Sequence, residues 1–345
     1  MSDSLLAPMA VAQVDGFRFG HWTDLEGGTG CTVIVCPKGA TGGVDVRGGA
    51  PASRETDLLK PEETVDQVNA VVLSGGSAFG LEASSGAARE LERRGIGLPV
   101  GPTVVPIVCS ACLFDLAFGD PSARPDVAAG EAAVSTALDN EPGELAEGTV
   151  GAGTGATVGK LLGPDHVMKS GLGARAFRLG ELQVGAVTAV NACGNVVDPT
   201  SLKPIAGVRA TPEGAEILDM EELMLAQAAQ MSMPLDAAHA PRQNTTISCV
   251  ITNARLTKVQ ATKVAQMAAD AYAHCIRPTH TTNDGDTIFV LASGELAEET
   301  SAAYPLDLIG LVATRALEAA VVAGVTEAGG LAGVPAAGDL EPTPA

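Results

Sequence analysis

Apolar and polar positions along the chain fall into two recurring patterns. One is a short, nearly continuous apolar run: Cys31-Thr-Val-Ile-Val-Cys36, Asn69-Ala-Val-Val-Leu73, Leu182 to Asn191, Thr246-Ile-Ser-Cys-Val-Ile-Thr252 and Thr287-Ile-Phe-Val-Leu-Ala292. Runs of this length, rich in β-branched residues and bounded by Gly, Pro, Asn or Asp, predict strands. Pro37-Lys38-Gly39 is expected to end the first run, and Ser74-Gly75-Gly76 the second. The other pattern is the helical period. Ser77 to about Arg94 carries Phe79, Leu81, Ala87 and Leu91 at roughly helical spacing and stops at Gly95. Further helices are expected at 127–138, at 214–231 and at 305–322. Another runs from Lys258 to Ile276, with Val259, Val264, Met267, Ala268, Ala271 and Cys275 on its buried side. Residues 232–244 hold two prolines and little core material, which predicts an exposed linker. Gly329 to Ala345 predicts a loose tail. Strands and helices alternate without a strict βαβ rhythm. That order points to α/β or α+β layers around a pair of sheets.

Composition narrows the picture. A chain of 345 residues allows one large domain or two ordinary ones, at about 100–200 residues each. Aromatics are only 3 %, so Ala, Val, Leu and Gly must build the core. The net charge of −20 argues against a nucleic-acid partner, because phosphates would be repelled. The opening MSDSLLAPMAVAQVDG has neither a basic start nor a long apolar stretch, and no run reaches the ~18 apolar residues of a spanning helix. A cytoplasmic protein with no membrane partner is the expectation. Seven cysteines then read as reduced, buried, small side chains. Cys109-Ser-Ala-Cys112 has redox spacing but lacks the setting of a redox motif.

Three polar motifs remain. Gly151 to Lys160 is glycine-rich, but Thr154 stands where a phosphate loop needs glycine, and Leu161 where it needs a hydroxyl. A tight turn, or a loop presenting its amides and Lys160 to a site, are the two readings. Asn283-Asp-Gly-Asp286 lacks the spaced ligands of a calcium loop. It reads as a turn into the following strand, or as a carboxylate pair at the strand mouth. Asn244-Thr245-Thr246 lies where the linker ends and a strand begins. A cut there would give Thr245 a free α-amine of pKa about 7.7–8.0, able to serve as base to its own hydroxyl. Spacing alone does not single out Thr245. No histidine pair has metal-ligand spacing, and Leu73 to Ala78 lacks a serine-hydrolase elbow, so neither a metal nor another cofactor is expected.

Several stretches in order resemble the L-aminopeptidase/D-esterase family of N-terminal-nucleophile hydrolases, which includes β-peptidyl aminopeptidases and nylon-oligomer hydrolase. They are Val44-Asp-Val-Arg-Gly-Gly49, Leu73 to Ala83, Arg94-Gly-Ile-Gly97, Val104 to Val108, Gly151 to Lys160, Asn244-Thr-Thr-Ile247 and Asp284-Gly-Asp-Thr287. The resemblance implies an α+β, four-layer αββα sandwich forming one layered domain over 1–345. It implies self-cleavage between Asn244 and Thr245 into an α chain, 1–244, and a β chain, 245–345. It also implies homo-oligomers of αβ units, commonly tetramers. Thr245 would be the nucleophile, with Lys160 and Asn191 beside it and Asn191 suited to donate to an oxyanion. Asp284 and Asp286 would orient Thr245, Asp286 being the one expected to touch it. Phe114 aligns where nylon hydrolase carries a Tyr near its site, and with Ser77 is expected at the substrate pocket. The implied substrates are small peptides, amides or esters, or linear 6-aminohexanoate oligomers. The competing readings are an acyltransferase of the ornithine acetyltransferase type, and a non-catalytic binding protein of the same fold.

Overall fold

The computed structural model describes residues 5–140, 143–230 and 244–340. Ten strands make one hydrogen-bonded system. They are β1 (Ala7–Met9), β2 (Arg18–Asp24), β3 (Thr29–Val46), β4 (Ser53–Arg54), β5 (Val68–Ser74), β6 (Val108–Cys112), β7 (Leu172–Leu179), β8 (Leu182–Ala189), β9 (Ile247–Thr252) and β10 (Thr287–Ala292). The spine is β3, 18 residues long. Its first half pairs with β2 and β5, and its second half with β10. Pro37-Lys38-Gly39 therefore does not end the strand. The register shifts between Val35 and Ala40, and Gly39 takes φ +85°. Pro37 has no N–H to give the ladder, so the strand kinks there and passes from one sheet to the other.

The two sheets are β1-β7-β8-β9-β10-β3 and β2-β3-β5-β6-β4. Alternating side chains explain why their strands read as continuous apolar runs. Ile247, Cys249 and Ile251 of β9 and Phe289 and Leu291 of β10 join Val71 and Leu73 of β5 in the core between the sheets. The intervening Val250, Ile288 and Val290 face outward, into a core shared with α4 (Lys258–Ala268), α5 (Asp270–Cys275) and α6 (Leu306–Thr326). On the other sheet Cys31, Val33 and Val35 face α1 (Glu82–Arg93) and α2 (Val127–Asp139). Strands β5, β9 and β10 are thus buried on both faces, which needs apolar residues at nearly every position. The result is the αββα layering. Each well-buried Val, Leu or Ile contributes about 1.5–3 kcal/mol. Small residues let the layers close: a Cβ on Gly43 of β3 would lie 2.4 Å from the Ala261 backbone of α4.

Several expected helices are shorter than their apolar pattern. The one after β5 begins with a 3-10 turn, Ser77–Leu81, and Phe79 is exposed with the Arg124 guanidinium 3.7 Å above its ring. The expected 214–231 helix starts only at Met220, as α3 (Met220–Gln230), because the Asp219 carboxylate accepts the Glu222 N–H at 3.0 Å and caps it. The expected Lys258–Ile276 helix divides at Ala269, and its Val259 faces solvent. Residues 232–243 of the expected linker lie outside the described residues. The segment expected as a loose tail is packed in part: the Lys169 N–H donates to Pro335, and Ala336 is fully buried. Helix α6 has the length and hydropathy of a membrane span, yet Ile309, Val312, Ala316, Leu317, Ala320 and Val321 are buried in the fold.

Candidate active site

Strand register assembles the site. β9 and β10 are parallel neighbours with Ile247 opposite Thr287, so the residues just before each strand meet at one sheet edge. β8 runs antiparallel to β9 with Ala189 opposite Ile247, so its exit meets the same edge. Asn191, Thr245 and Asp284 to Asp286 come together there as a consequence of topology.

Thr245 and Asn244 are buried. The Thr245 N–H donates to the Asn191 carbonyl at 2.9 Å. The Thr245 hydroxyl donates to the Asn244 carbonyl oxygen, and the Gly285 N–H donates to that hydroxyl at 3.1 Å. Gly285 has to be glycine: a Cβ would lie 2.8 Å from Thr245 Oγ1 and 2.9 Å from the Ala50 carbonyl.

Asn191 is fully buried and is the hub of the second half of the site. Its Oδ1 accepts from Lys160 Nζ at 2.6 Å and from the Thr157 N–H at 3.1 Å. Its Nδ2 donates to the Phe114 carbonyl at 2.8 Å. Lys160 Nζ also donates to the Asn191 carbonyl, at 3.3 Å. Burial pulls the Lys160 amine down to about 7, against the opposing pull of Cys193, Asp284 and Asp115.

The two aspartates do different work. Asp286 Oδ1 accepts the Thr246 N–H at 2.8 Å, so it holds the residue after Thr245. Its Oδ2 accepts from His280 Nδ1 at 2.9 Å and from the His280 N–H at 3.2 Å. Asp284 Oδ2 accepts the Thr281 N–H at 2.6 Å, while its buried Oδ1 has no partner among the described residues. Burial, and then the Asp286 charge, push the Asp284 carboxyl up to about 6. Two groups that titrate near neutrality therefore flank the Asn244–Thr245 bond, a common property of reactive sites.

The structure brings together Thr245, Asn191, Lys160, Asp284 and Asp286. Besides the Asn244 carbonyl, the Thr245 hydroxyl meets the Gly285 amide between the two aspartates, and Asp286 accepts the neighbouring Thr246 N–H. Phe114 lines a cavity of about 180 Å³ together with Asp115, Phe118, Thr157 and Lys160. Ser77 does not line it; its backbone N–H donates to the Leu113 carbonyl at 2.9 Å. A larger cavity of about 850 Å³ lies on α6 and β7 and touches none of the site residues. Sequence reasoning missed His280, Thr157 and Gly285. It also gave no role to Val44 to Gly49 beyond the resemblance. That stretch braces the aspartate turn: the Arg47 and Gly48 amides donate to the Asp286 carbonyl, and the Ala50 amide to Asp284.

The model of peptidase family S58 matches residues 10–337. The chain belongs to peptidase family S58. It is an amidohydrolase of the peptidase type, with the fold of that family. An uncharacterized aminopeptidase of Mycobacterium tuberculosis (strain ATCC 25618 / H37Rv) is 39 % identical over 343 residues, covering 92 % of this chain and 93 % of the relative. A 6-aminohexanoate-oligomer endohydrolase of Paenarthrobacter ureafaciens is 34 % identical over 277 residues, covering 79 % of this chain and 71 % of the relative. Among solved structures, the L-aminopeptidase D-Ala-esterase/amidase of Ochrobactrum anthropi, described as a variant of the Ntn hydrolase fold, aligns with TM-score 0.64 at 19 % identity. That alignment covers 97 % of this chain and 93 % of the other. For this S58 member, that likeness supports the fold.

Proposed function

We propose that the chain is a self-processing amide hydrolase in which Thr245 is the nucleophile. The observation that carries this reading is the placement of Thr245 Oγ1, against the Asn244 carbonyl on one side and the Gly285 N–H on the other. In maturation, Oγ1 bonds to the Asn244 carbonyl carbon and the C–N bond breaks. The hydroxyl proton passes to the Thr245 nitrogen. Water then hydrolyses the resulting ester, leaving the Asn244 carboxylate and a free Thr245 hydroxyl and α-amine. In turnover, that amine takes the hydroxyl proton as Oγ1 attacks a substrate amide. The leaving amine takes a proton, and water breaks the acyl ester.

Asn191 serves this chemistry as a support. Its oxygen holds Lys160 Nζ and one N–H of its NH₂ goes to the Phe114 carbonyl, so Lys160 and the Asn191 amide are the groups placed to meet developing negative charge. Asp286 holds the Thr246 N–H, and Gly285 holds the Thr245 hydroxyl. The substrates are small peptides or linear amide oligomers, whose short, largely apolar chain fits the cavity walled by Phe114, Phe118 and Val167. The processed αβ units associate as tetramers; a mass of one αβ unit by light scattering removes that part.

The test is intact mass on a denaturing gel, with Thr245→Ala beside the wild type. Two fragments split before Thr245, and an uncut, inert variant, are expected. Hydrolysis of amino-acid p-nitroanilides or aminohexanoate oligomers by Thr245→Ala would move the nucleophile elsewhere.

A further inference from the structure

A second lysine, Lys169, packs against the glycine-rich segment and does not touch Thr245. Lys169 is fully buried and burial pulls its amine down to about 7, yet its Nζ donates to three backbone carbonyls, the number of donors an ammonium supplies: Gly153 and Ala156, both at 3.0 Å, and Ser170. Burying a cation is costly, and replacing buried charges by apolar side chains of similar volume is often neutral or stabilising. Stability alone therefore gives little reason for a lysine here.

What the ammonium holds supplies a reason. The Ala156 carbonyl and the Thr157 N–H are the two ends of one planar peptide group. Lys169 sits on the carbonyl end at 3.0 Å, and Asn191 Oδ1 on the N–H end at 3.1 Å. That same Asn191 oxygen takes Lys160 Nζ at 2.6 Å. The Ser170 N–H adds a second donor to the Ala156 carbonyl at 3.0 Å, and strand pairing sets Lys169 opposite Thr157. A cation on a carbonyl polarises the peptide and strengthens its N–H as a donor.

We propose that Lys169 is a positioning residue for the Thr245 reaction: its ammonium fixes the Ala156–Thr157 peptide, and through it the Asn191 side chain and Lys160. The inference rests on Thr245 being the nucleophile with Lys160 beside it. Lys169 touches neither the nucleophile nor the scissile bond; its effect runs through the Ala156–Thr157 peptide to Asn191 and Lys160 and falls mainly on kcat.

The test is Lys169→Met in the full chain. Self-cleavage and kcat should fall by about tenfold or more, as a slight misplacement of reacting groups does, with KM within about twofold. Reductive methylation of Lys160, followed by peptide mass, should become several-fold faster as its acceptor loosens. A folded variant with wild-type kcat and unchanged Lys160 labelling would overturn the inference, as would a loss confined to KM. If methionine prevents folding, Lys169→Arg carries the same readouts. Near wild-type kcat in that variant supports a cation holding the carbonyls. Lowered kcat with unchanged Lys160 labelling overturns it. Thr245→Ala measured in parallel separates the two claims. Activity in that variant sinks the nucleophile, whereas an inert Thr245→Ala beside an unaffected Lys169→Met sinks only the role of Lys169.

Discussion

Asn191 holds Thr245 from behind: the backbone carbonyl of one accepts the backbone N–H of the other at 2.9 Å. The Asn191 side chain meanwhile gathers Lys160, Thr157 and Phe114. One residue therefore sets both the path of the chain at the Asn244–Thr245 bond and the position of the Lys160 amine.

Asn191→Ala keeps the first of these and removes the second. It strips Lys160 Nζ and the Thr157 N–H of a shared acceptor, and an unsatisfied buried donor costs about 1–3 kcal/mol. The expected result is a lower melting temperature together with self-cleavage slowed roughly 100-fold. Thermal melts and a gel time course report both. A stable variant that cleaves at the wild-type rate would show that the side chain is dispensable.

Gly285→Ala inserts a methyl group 2.8 Å from the Thr245 hydroxyl and 2.9 Å from the Ala50 carbonyl. Overpacking of this kind costs about 1–3 kcal/mol. Because the hydroxyl must also move, cleavage is expected to fall by about 100-fold, further than the stability loss alone explains. Wild-type cleavage in this variant would detach the Gly285 amide from the reaction.

Asp284 gives a prediction in pH. Its folded pKa of about 6 lies above the unfolded value of 3.8. The native state therefore binds the extra proton between those values, and the stability linked to Asp284 is present below about pH 4 and lost as pH rises through about 6. Asp284→Asn should flatten that slope and stabilise the protein at pH 7–8 by on the order of 1–2 kcal/mol, while slowing cleavage. Urea unfolding at pH 4, 6 and 8 checks it. A variant whose stability keeps the wild-type pH dependence in that window would assign the slope to another group.

His280 acts through Asp286. Its ring Nδ1 and its backbone N–H both meet Asp286 Oδ2, while Oδ1 holds the Thr246 N–H. His280→Ala should loosen that carboxylate and slow cleavage by about tenfold. His280→Asn, which retains a side-chain donor, should recover part of the rate. Equal loss in both variants would mean that the imidazole itself matters beyond this contact.

Much of the layering was legible because it is local. The apolar runs at 69–73, 246–252 and 287–292 needed apolar side chains on both faces, and periodicity records that directly. Thr245, Lys160 and the two aspartates were legible through matched motifs and Asn191 only through what the resemblance implies, while nothing in their spacing shows that one end of the sheet collects them. The kink of β3 was missed because Pro37 and Gly39 carry the same local signature whether a strand ends or turns a corner. Period alone places Val259 inward, and the packing of α4 does not use that face; Phe79 keeps the helical spacing but lies on the 3-10 turn before α1, exposed. His280, Gly285 and Lys169 work through backbone atoms and distant partners. No periodic pattern marks such residues.

The parallel pair β9 and β10 lies wholly after residue 245, yet β8 flanks it on one side and β3 on the other. A molecule cut before Thr245 is therefore two polypeptides woven through a single sheet, with the shorter one at its middle. Diluting such a molecule will not release the fragment, since escape requires breaking ladders on both sides at once. Once it does unfold, re-forming the sheet becomes an encounter between separate chains and depends on their concentration. An uncut chain would keep that encounter within one molecule, whereas a cut one would persist only as long as it unfolds slowly.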